Sequence, residues 1–398
     1  MPARLPSTPF VLIDDARADG AAAARLYRDP VDVVRAERRE EVVPALMRLR
    51  AAQTSGLHAA GFIGYEAGHA LEPRLTALDP RTRVGDPPFL WFGLFEQVEE
   101  IAPDVTAALF GGAAPAPRIA AEPLISRTGY DNAFSSVQDR IVAGDVYQVN
   151  LTFPCRVAVD GDPVALYGAV RPHAAAGHGA LVFTGDHWLL SFSPEMFFAL
   201  ERGQLTVRPM KGTAPRDADP VRDRGNIHRL QTDVKQRAEN LMIVDLLRND
   251  LSRIAVPGSV RVSDLFTVET YPTVHQMTST VTAQADPARD AVDVLMALFP
   301  CGSVTGAPKI RAMEIIHEVE GTARGPYTGS IGRFDPSGDA GFNVAIRTIW
   351  INKGGSSGTL GLGSAIVADS RAADEWRECL DKARFLAPEA IERAGERT

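Results

Sequence analysis

The stretch LVFTGDHWLLSFSPEMFFALERGQLTVRPMKGTAPR, residues 181–216, decides the fold class. Its apolar runs break at Gly185-Asp186 and at Arg202-Gly203, so LVFTGDHWLLSFSP and MFFALERGQLTVRPM read as hairpin strands. The segment HRLQTDVKQRAENLMIVDLLRNDLSRI (228–254) then carries an apolar side at helical spacing and predicts one long helix. Hairpins mixed with long helices predict an α+β fold rather than a doubly wound parallel sheet. The last nine residues, RPMKGTAPR, raise a chemical question. Their Pro and Gly content predicts neither helix nor regular strand around Lys211. From these residues alone, Lys211 is open as a nucleophile, an anion clamp or a solvated surface charge.

Toward the N-terminus, PFVLIDD and PFLWFGLFEQVEE read as strands and EVVPALMRLRAAQ as a helix. The stretch AALFGGAAPAPRIAAEP (107–123) is rich in Ala, Pro and Gly and is the best linker candidate. It divides an N-terminal region, 1–120, from a larger region, 121–398. Toward the C-terminus, the Thr- and Val-rich RVSDLFTVETYPTVHQMTSTVTAQ predicts β-structure, while AVDVLMALFP and APKIRAMEIIHEVEG predict helices. DSRAADEWRECLDKARFL predicts a further helix with Asp369 or Ser370 as its N-cap.

Composition excludes several classes. The 398 residues are 45% hydrophobic and 23% charged, as in a soluble globular protein with a large core. A net charge of −8 argues against binding nucleic acid by phosphate neutralisation. Cys155, Cys301 and Cys379 form no CxxC pair, which predicts neither a disulfide framework nor structural zinc, and fits the cytoplasm. No signal peptide and no membrane span are expected.

Several constellations could carry chemistry. Glu375, Glu378 and Lys382 are spaced i, i+3, i+7 and share a helical face. Such a set can bind a hard divalent cation with an anion riding on it, or be a solvated face. Lys235 and Glu239 stand i, i+4 beside the buried-looking NLMIVDLL, as a surface ion pair or with Glu239 as a ligand. CGSVTGAPK (301–309) fails the Walker spacing but feeds a helix N-terminus, with Lys309 in its first turn. Arg347, read as lying inside an apolar strand, needs an anionic partner from protein or ligand. Glu195 follows Pro194 at the entry to an apolar strand, where burial would raise its pKa and suit it to general acid work.

In order, IVAGDVYQVNLTFP, SFSPEMFF, RPMKGTAPR, KQRAENLMIVDLLRNDLSR, FPCGSVTGAPKIRAMEIIHEVE, RGPYTGSIG, VAIRT and GSAIVADS…EWRECLDKA resemble the chorismate-utilising enzymes from about Tyr130 to Leu386. The resemblance implies that family's sandwich of two antiparallel sheets with outer helices. It implies Mg²⁺ on Glu239 and Glu378 with Glu375 nearby. It implies that the ring carboxylate of chorismate meets Lys382 and the backbone from Gly363 to Ala365. The enolpyruvyl carboxylate would meet Arg347 and Tyr327, with Thr305 and His275 along the ring and Gly212 and Thr213 beside Lys211.

Three positions are similar to the aminodeoxychorismate-forming branch. Gln148 stands where water-using members carry a water-activating lysine, which implies ammonia as the nucleophile. Lys211 stands where the anthranilate-forming members carry alanine, and GSAIV (363–367) replaces Gly-Ala-Gly-Ile-Val. The implied chemistry is covalent, with Lys211 attacking and Glu195 protonating the departing hydroxyl. The implied partners are a glutamine amidotransferase subunit supplying ammonia and a downstream lyase. The anthranilate-forming branch and a non-catalytic chorismate-binding subunit are the alternatives. Gln236 replaces a frequent acidic residue, and the tryptophan-pocket motifs are missing near FVLIDDA and RPHAAAGHG, so tryptophan binding is not expected.

Overall fold

The computed structural model describes residues 5–110, 119–159, 161–271 and 274–386. The middle of the linker candidate, 111–118, lies outside the described residues. Two ten-stranded sheets form the frame. In the first, Gln148–Ala158 pairs Ser357–Ile366, followed by Thr348–Asn352, His187–Ser191, Gly179–Phe183, Phe10–Asp14 and Ala24–Arg28. In the second, Val274–Gln284 is followed by Gln204–Arg208, Met196–Glu201, Ala340–Asn343, Ser330–Phe334, His58–Ile63 and Leu90–Phe95. These pairings are all antiparallel, and strands from the N-terminal region extend both sheets.

The sequence alternation explains the layering. Successive strand residues face opposite ways, and here both faces are buried, so the strands are apolar throughout. Val11 and Val182 point between the sheets and pack with Phe62, Trp91, Leu189 and Ile331. Their neighbours Phe10, Leu12, Leu181 and Phe183 point outward, into a core shared with the helices Arg127–Val142, Pro163–Ala174 and Lys309–Val319. Val42–Thr54, Val234–Ser252 and Ala291–Leu298 cover the second sheet. The expected α+β sandwich with outer helices is the observed architecture.

The second hairpin turns at Arg202 (φ 50°) and Gly203 (φ 80°), the paired left-handed geometry that suits a two-residue turn. Four local expectations need correction. The single long helix is two, Pro220–Thr232 and Val234–Ser252, because Asp233 leaves helical geometry and its side chain accepts the Gln236 N–H at 2.9 Å. RPMKGTAPR contains a strand, Met210–Pro215, paired with Val274–Gln284, whose register shifts between Met210 and Thr213. The C-terminal helix Ala372–Asp381 has Arg371 at its N-cap with no side-chain cap, because the Ser370 hydroxyl donates to Glu375 at 2.7 Å instead. Arg347 stands just before the strand Thr348–Asn352, at φ 50°, not inside it.

Candidate active site

Lys211 sits in the bulge of Met210–Pro215. Gly212 makes the bulge possible, since it adopts φ 96° and a Cβ there would meet Gln236 Oε1 at 2.9 Å. Two side chains pin the bulge. Gln276 Nε2 donates to the Gly212 carbonyl at 2.8 Å, and Asn240 Nδ2 to the Lys211 carbonyl at 3.4 Å. Asn240 is fully buried, accepts from Ser279 Oγ at 2.6 Å and follows Glu239 in the helix, so one residue ties Lys211 to a candidate metal ligand. Thr213 binds Gln276 Oε1 at 3.0 Å.

Glu195 comes from the turn between His187–Ser191 and Met196–Glu201. Its backbone is held by Ser193 Oγ and by the Val344 N–H, and its side chain is 5% exposed. Ser303 Oγ donates to its carboxylate at 2.8 Å. Burial pushes the carboxyl up to about 7, against the opposing pull of Ser303, Lys211 and Lys382. The same environment acts in the opposite sense on Lys211: burial and the nearby Lys382 charge lower its pKa, while Glu239, Glu378 and Glu195 oppose that shift. An acid kept partly protonated thus stands beside an amine pushed toward neutrality.

Lys382 Nζ donates to Glu378 at 2.7 Å and to the Gly363 carbonyl at 2.8 Å, joining three predicted substrate and metal positions directly. Both side chains reach solvent in part, Lys382 being 42% and Glu378 54% exposed. Burial raises the Glu239 carboxyl, with Glu378 and Glu375 adding to it and the two lysines opposing. For Glu378, burial pushes upward, yet Lys382, Lys211 and Lys235 leave the carboxyl net lowered. Lys235 pairs with Asp369 at 3.1 Å rather than with Glu239, linking the Glu239 helix to the turn before the Glu378 helix.

Among the described residues no three His, Cys, Asp or Glu side chains converge as a closed metal cage. The donor chemistry of Glu239 and Glu378 still fits Mg²⁺, which takes one or two carboxylates and completes its shell with water and substrate oxygens. Glu375 is held by Ser370 beside them.

The other predicted residues divide. Thr305 is fully buried, within hydrogen-bond distance of the Cys301 and Gly302 carbonyls. Gln148 is fully buried, and neither of its side-chain amide atoms has a hydrogen-bond partner among the described residues. Ala365 pairs across the sheet with Asn150, two residues from Gln148. Arg347 has no carboxylate within ion-pair distance among the described residues, and its guanidinium lies 6.0 Å from the Phe385 ring, so an anionic ligand could satisfy it. Tyr327 shares no hydrogen bond with Arg347. Its ring fills the space that a Cβ on Gly361 would need, and it lines a cavity with Glu66, Glu320 and Arg324. His275 is not brought into the cluster: Asp223 at 2.8 Å and Thr270 at 3.0 Å take both ring nitrogens. Lys309 is likewise engaged, by Asp250 at 2.7 Å and the Leu298 carbonyl at 2.8 Å. Ser303, Asn240 and Arg324 lie inside quoted motifs, but sequence reasoning gave them no role.

Known proteins are similar to this chain in sequence and in fold. Over 265 residues the chain is 44% identical to aminodeoxychorismate synthase component 1 of Salmonella typhimurium, covering 66% of this chain and 58% of that protein. It is 36% identical over 302 residues to anthranilate synthase component 1 of Haloferax volcanii, covering 75% and 57%. The chain therefore matches somewhat over half the length of these relatives. The crystal structure of anthranilate synthase component I from Streptococcus pneumoniae TIGR4 superimposes with a TM-score of 0.78 at 26% identity, covering 93% of each chain. Residues 9–388 match the chorismate binding enzyme family, to which this chain belongs.

Proposed function

We propose that the chain is an aminodeoxychorismate synthase component I, which converts chorismate and ammonia to 4-amino-4-deoxychorismate. The observation that carries the proposal is Lys211, whose amine is driven toward neutrality next to a Glu195 carboxyl raised to about 7. A neutral amine can attack carbon, and a protonated carboxyl can release a hydroxyl as water. In the first half-reaction the Lys211 Nζ bonds to C2 of the ring, the ring double bonds shift, and the C4 hydroxyl leaves with the Glu195 proton. In the second, ammonia bonds to C4, the double bonds shift back, the C2–Nζ bond breaks to release neutral Lys211, and the proton lost by the new C4 ammonium restores the Glu195 carboxyl. The net change is chorismate plus ammonia to the amino product plus water.

Gln148 supports ammonia as the nucleophile, because its unpaired amide offers an acceptor and no base strong enough to activate water. Lys382 and Arg347 supply the positive charge that a dianionic substrate requires. Glu239 and Glu378 would hold Mg²⁺, which when bound offers positive charge to a substrate carboxylate. The ammonia would come from a glutamine amidotransferase subunit, and a separate lyase would carry the product to p-aminobenzoate for folate synthesis. A cytoplasmic setting fits these partners, and no described helix is long and apolar enough to cross a membrane.

The test is product identification after incubating the chain with chorismate, Mg²⁺ and ammonium, with and without added lyase. p-Aminobenzoate that forms only with lyase is expected. Anthranilate fluorescence without lyase would place the chain with the anthranilate-forming members. Equal inertness of wild type and Lys211→Ala would leave a non-catalytic chorismate-binding subunit.

A further inference from the structure

Arg324 opens the motif RGPYTGSIG and is 7% exposed. All five N–H donors of its guanidinium have partners. Nε donates to Glu320 Oε2 at 2.8 Å. Nη1 reaches the Val304 carbonyl at 2.9 Å and Thr328 Oγ1 at 3.3 Å. Nη2 reaches the Asn150 carbonyl at 2.7 Å and Glu320 Oε1 at 2.6 Å. Besides Glu320, the three segments it grips each carry a candidate substrate residue: Asn150 lies two residues after Gln148, Val304 precedes Thr305, and Thr328 follows Tyr327. Asn150 N–H also donates to the Thr305 carbonyl at 2.8 Å, which closes the connection.

The arginine is itself held from the N-terminal region. Glu66, 5% exposed in YEAGHALEP, accepts the backbone N–H of Arg324 at 2.6 Å and of Gly325 at 3.0 Å, one on each carboxylate oxygen. The Tyr65 ring lies 4.5 Å from the guanidinium carbon, and the Tyr65 backbone N–H donates to the Gly325 carbonyl at 2.8 Å. Lys211, Glu195 and Glu239 have no direct hydrogen bond to this hub.

We propose that Arg324, clamped by Glu66, is a positioning residue that sets the strand beginning at Gln148 against Thr305 and Tyr327. This rests on the reading of the site given above, in which Gln148 faces ammonia. A planar five-donor fork can join two backbone carbonyls, a hydroxyl and a carboxylate at once, whereas a lysine concentrates its three donors on one nitrogen and cannot span them. Glu66 needs both oxygens as acceptors, and a glutamine would turn an amide N–H toward one of the two backbone donors. Displacing the Gln148 strand by a few tenths of an ångström harms the step that uses ammonia, because misplacement by about 1 Å costs on the order of a hundredfold in rate.

The experiment compares wild type, Glu66→Gln and Arg324→Lys with chorismate and Mg²⁺ at varied ammonia. The readouts are kcat, KM for ammonia and the alkaline limb of the rate–pH profile, which reports Glu195. For Glu66→Gln the expected result is a fall of about tenfold in kcat/KM for ammonia, carried mainly by a raised KM, with the alkaline limb in place. Arg324→Lys shows the same pattern more strongly if it folds, and Glu66→Gln decides the matter if it does not. A loss of folded protein lowers kcat alone. Unchanged KM for ammonia in Glu66→Gln, or a limb that moves together with KM, overturns the proposal. An inert wild type would instead overturn the functional reading on which it rests.

Discussion

Removing the Ser303 hydroxyl should move the pH at which the enzyme loses its general acid. Ser303 Oγ donates to Glu195 at 2.8 Å and thereby favours the ionised carboxylate. In wild type, burial raises Glu195 to about 7, with Ser303 the first of the groups holding it down. A hydrogen bond to a charged group contributes about 1.5–3 kcal/mol, and a protonated carboxyl retains part of it. A differential of about 1.4 kcal/mol is one pKa unit, so Ser303→Ala should raise the Glu195 pKa by roughly one unit. Glu195 acts while protonated and Lys211 while neutral, so the rate–pH profile should be a bell whose alkaline limb belongs mainly to Glu195. The assay is chorismate consumption from about pH 6 to about pH 9 at constant free ammonia, since ammonia itself titrates in that range. The expected result is an alkaline limb displaced upward by roughly one unit, with a somewhat lower plateau because the weaker acid donates less readily. A limb that stays in place or moves to lower pH would refute both the acid role of Glu195 and the direction of Ser303's influence.

Replacing the nucleophile should be far more severe. Lys211→Ala should lower turnover with ammonia by at least about a thousandfold, measured by chorismate consumption, and should abolish any chorismate adduct seen by intact mass. Gln148→Lys places a base where ammonia is expected, so product analysis without ammonia should detect a hydroxylated isomer of chorismate; an exclusively aminated product would count against the role of Gln148. Glu195 also predicts a stability effect. A carboxyl raised on folding from 4.5 to about 7 contributes stability that is complete below its unfolded pKa and is lost as pH rises through about 7. That shift corresponds to about 3 kcal/mol, so Glu195→Gln should gain stability relative to wild type on going from acid to mildly alkaline pH. Denaturant unfolding at the two extremes measures the difference, and a gap of the opposite sign would refute the burial argument.

What the sequence disclosed follows the range of the interactions involved. The hairpins around Gly185 and Gly203 were legible because a turn and its alternation are local properties. The break in the long helix was equally local, since Asp233 followed by Gln236 is a capping pattern, but the continuous apolar side on both flanks masked it. The Lys211 bulge was not legible. Nothing between Arg208 and Arg216 states that Gln276 and Asn240 will hold the Gly212 and Lys211 carbonyls, so the segment read as a turn although the sheet makes it a strand. The burial of Glu195 is legible from its apolar neighbours, yet its direct partner, Ser303, comes from a loop 108 residues away. Arg324 is the sharpest instance, because a buried arginine at the head of a motif announces only that it has partners. That the partners include the Asn150 and Val304 carbonyls and the Thr328 hydroxyl, in the Gln148, Thr305 and Tyr327 segments, is a property of the folded chain that no spacing along it encodes. Gln148 shows the reverse. Burial alone would make an unpaired glutamine a defect, and only under the proposed function do the same two atoms, unpaired among the described residues, become a reason to expect ammonia.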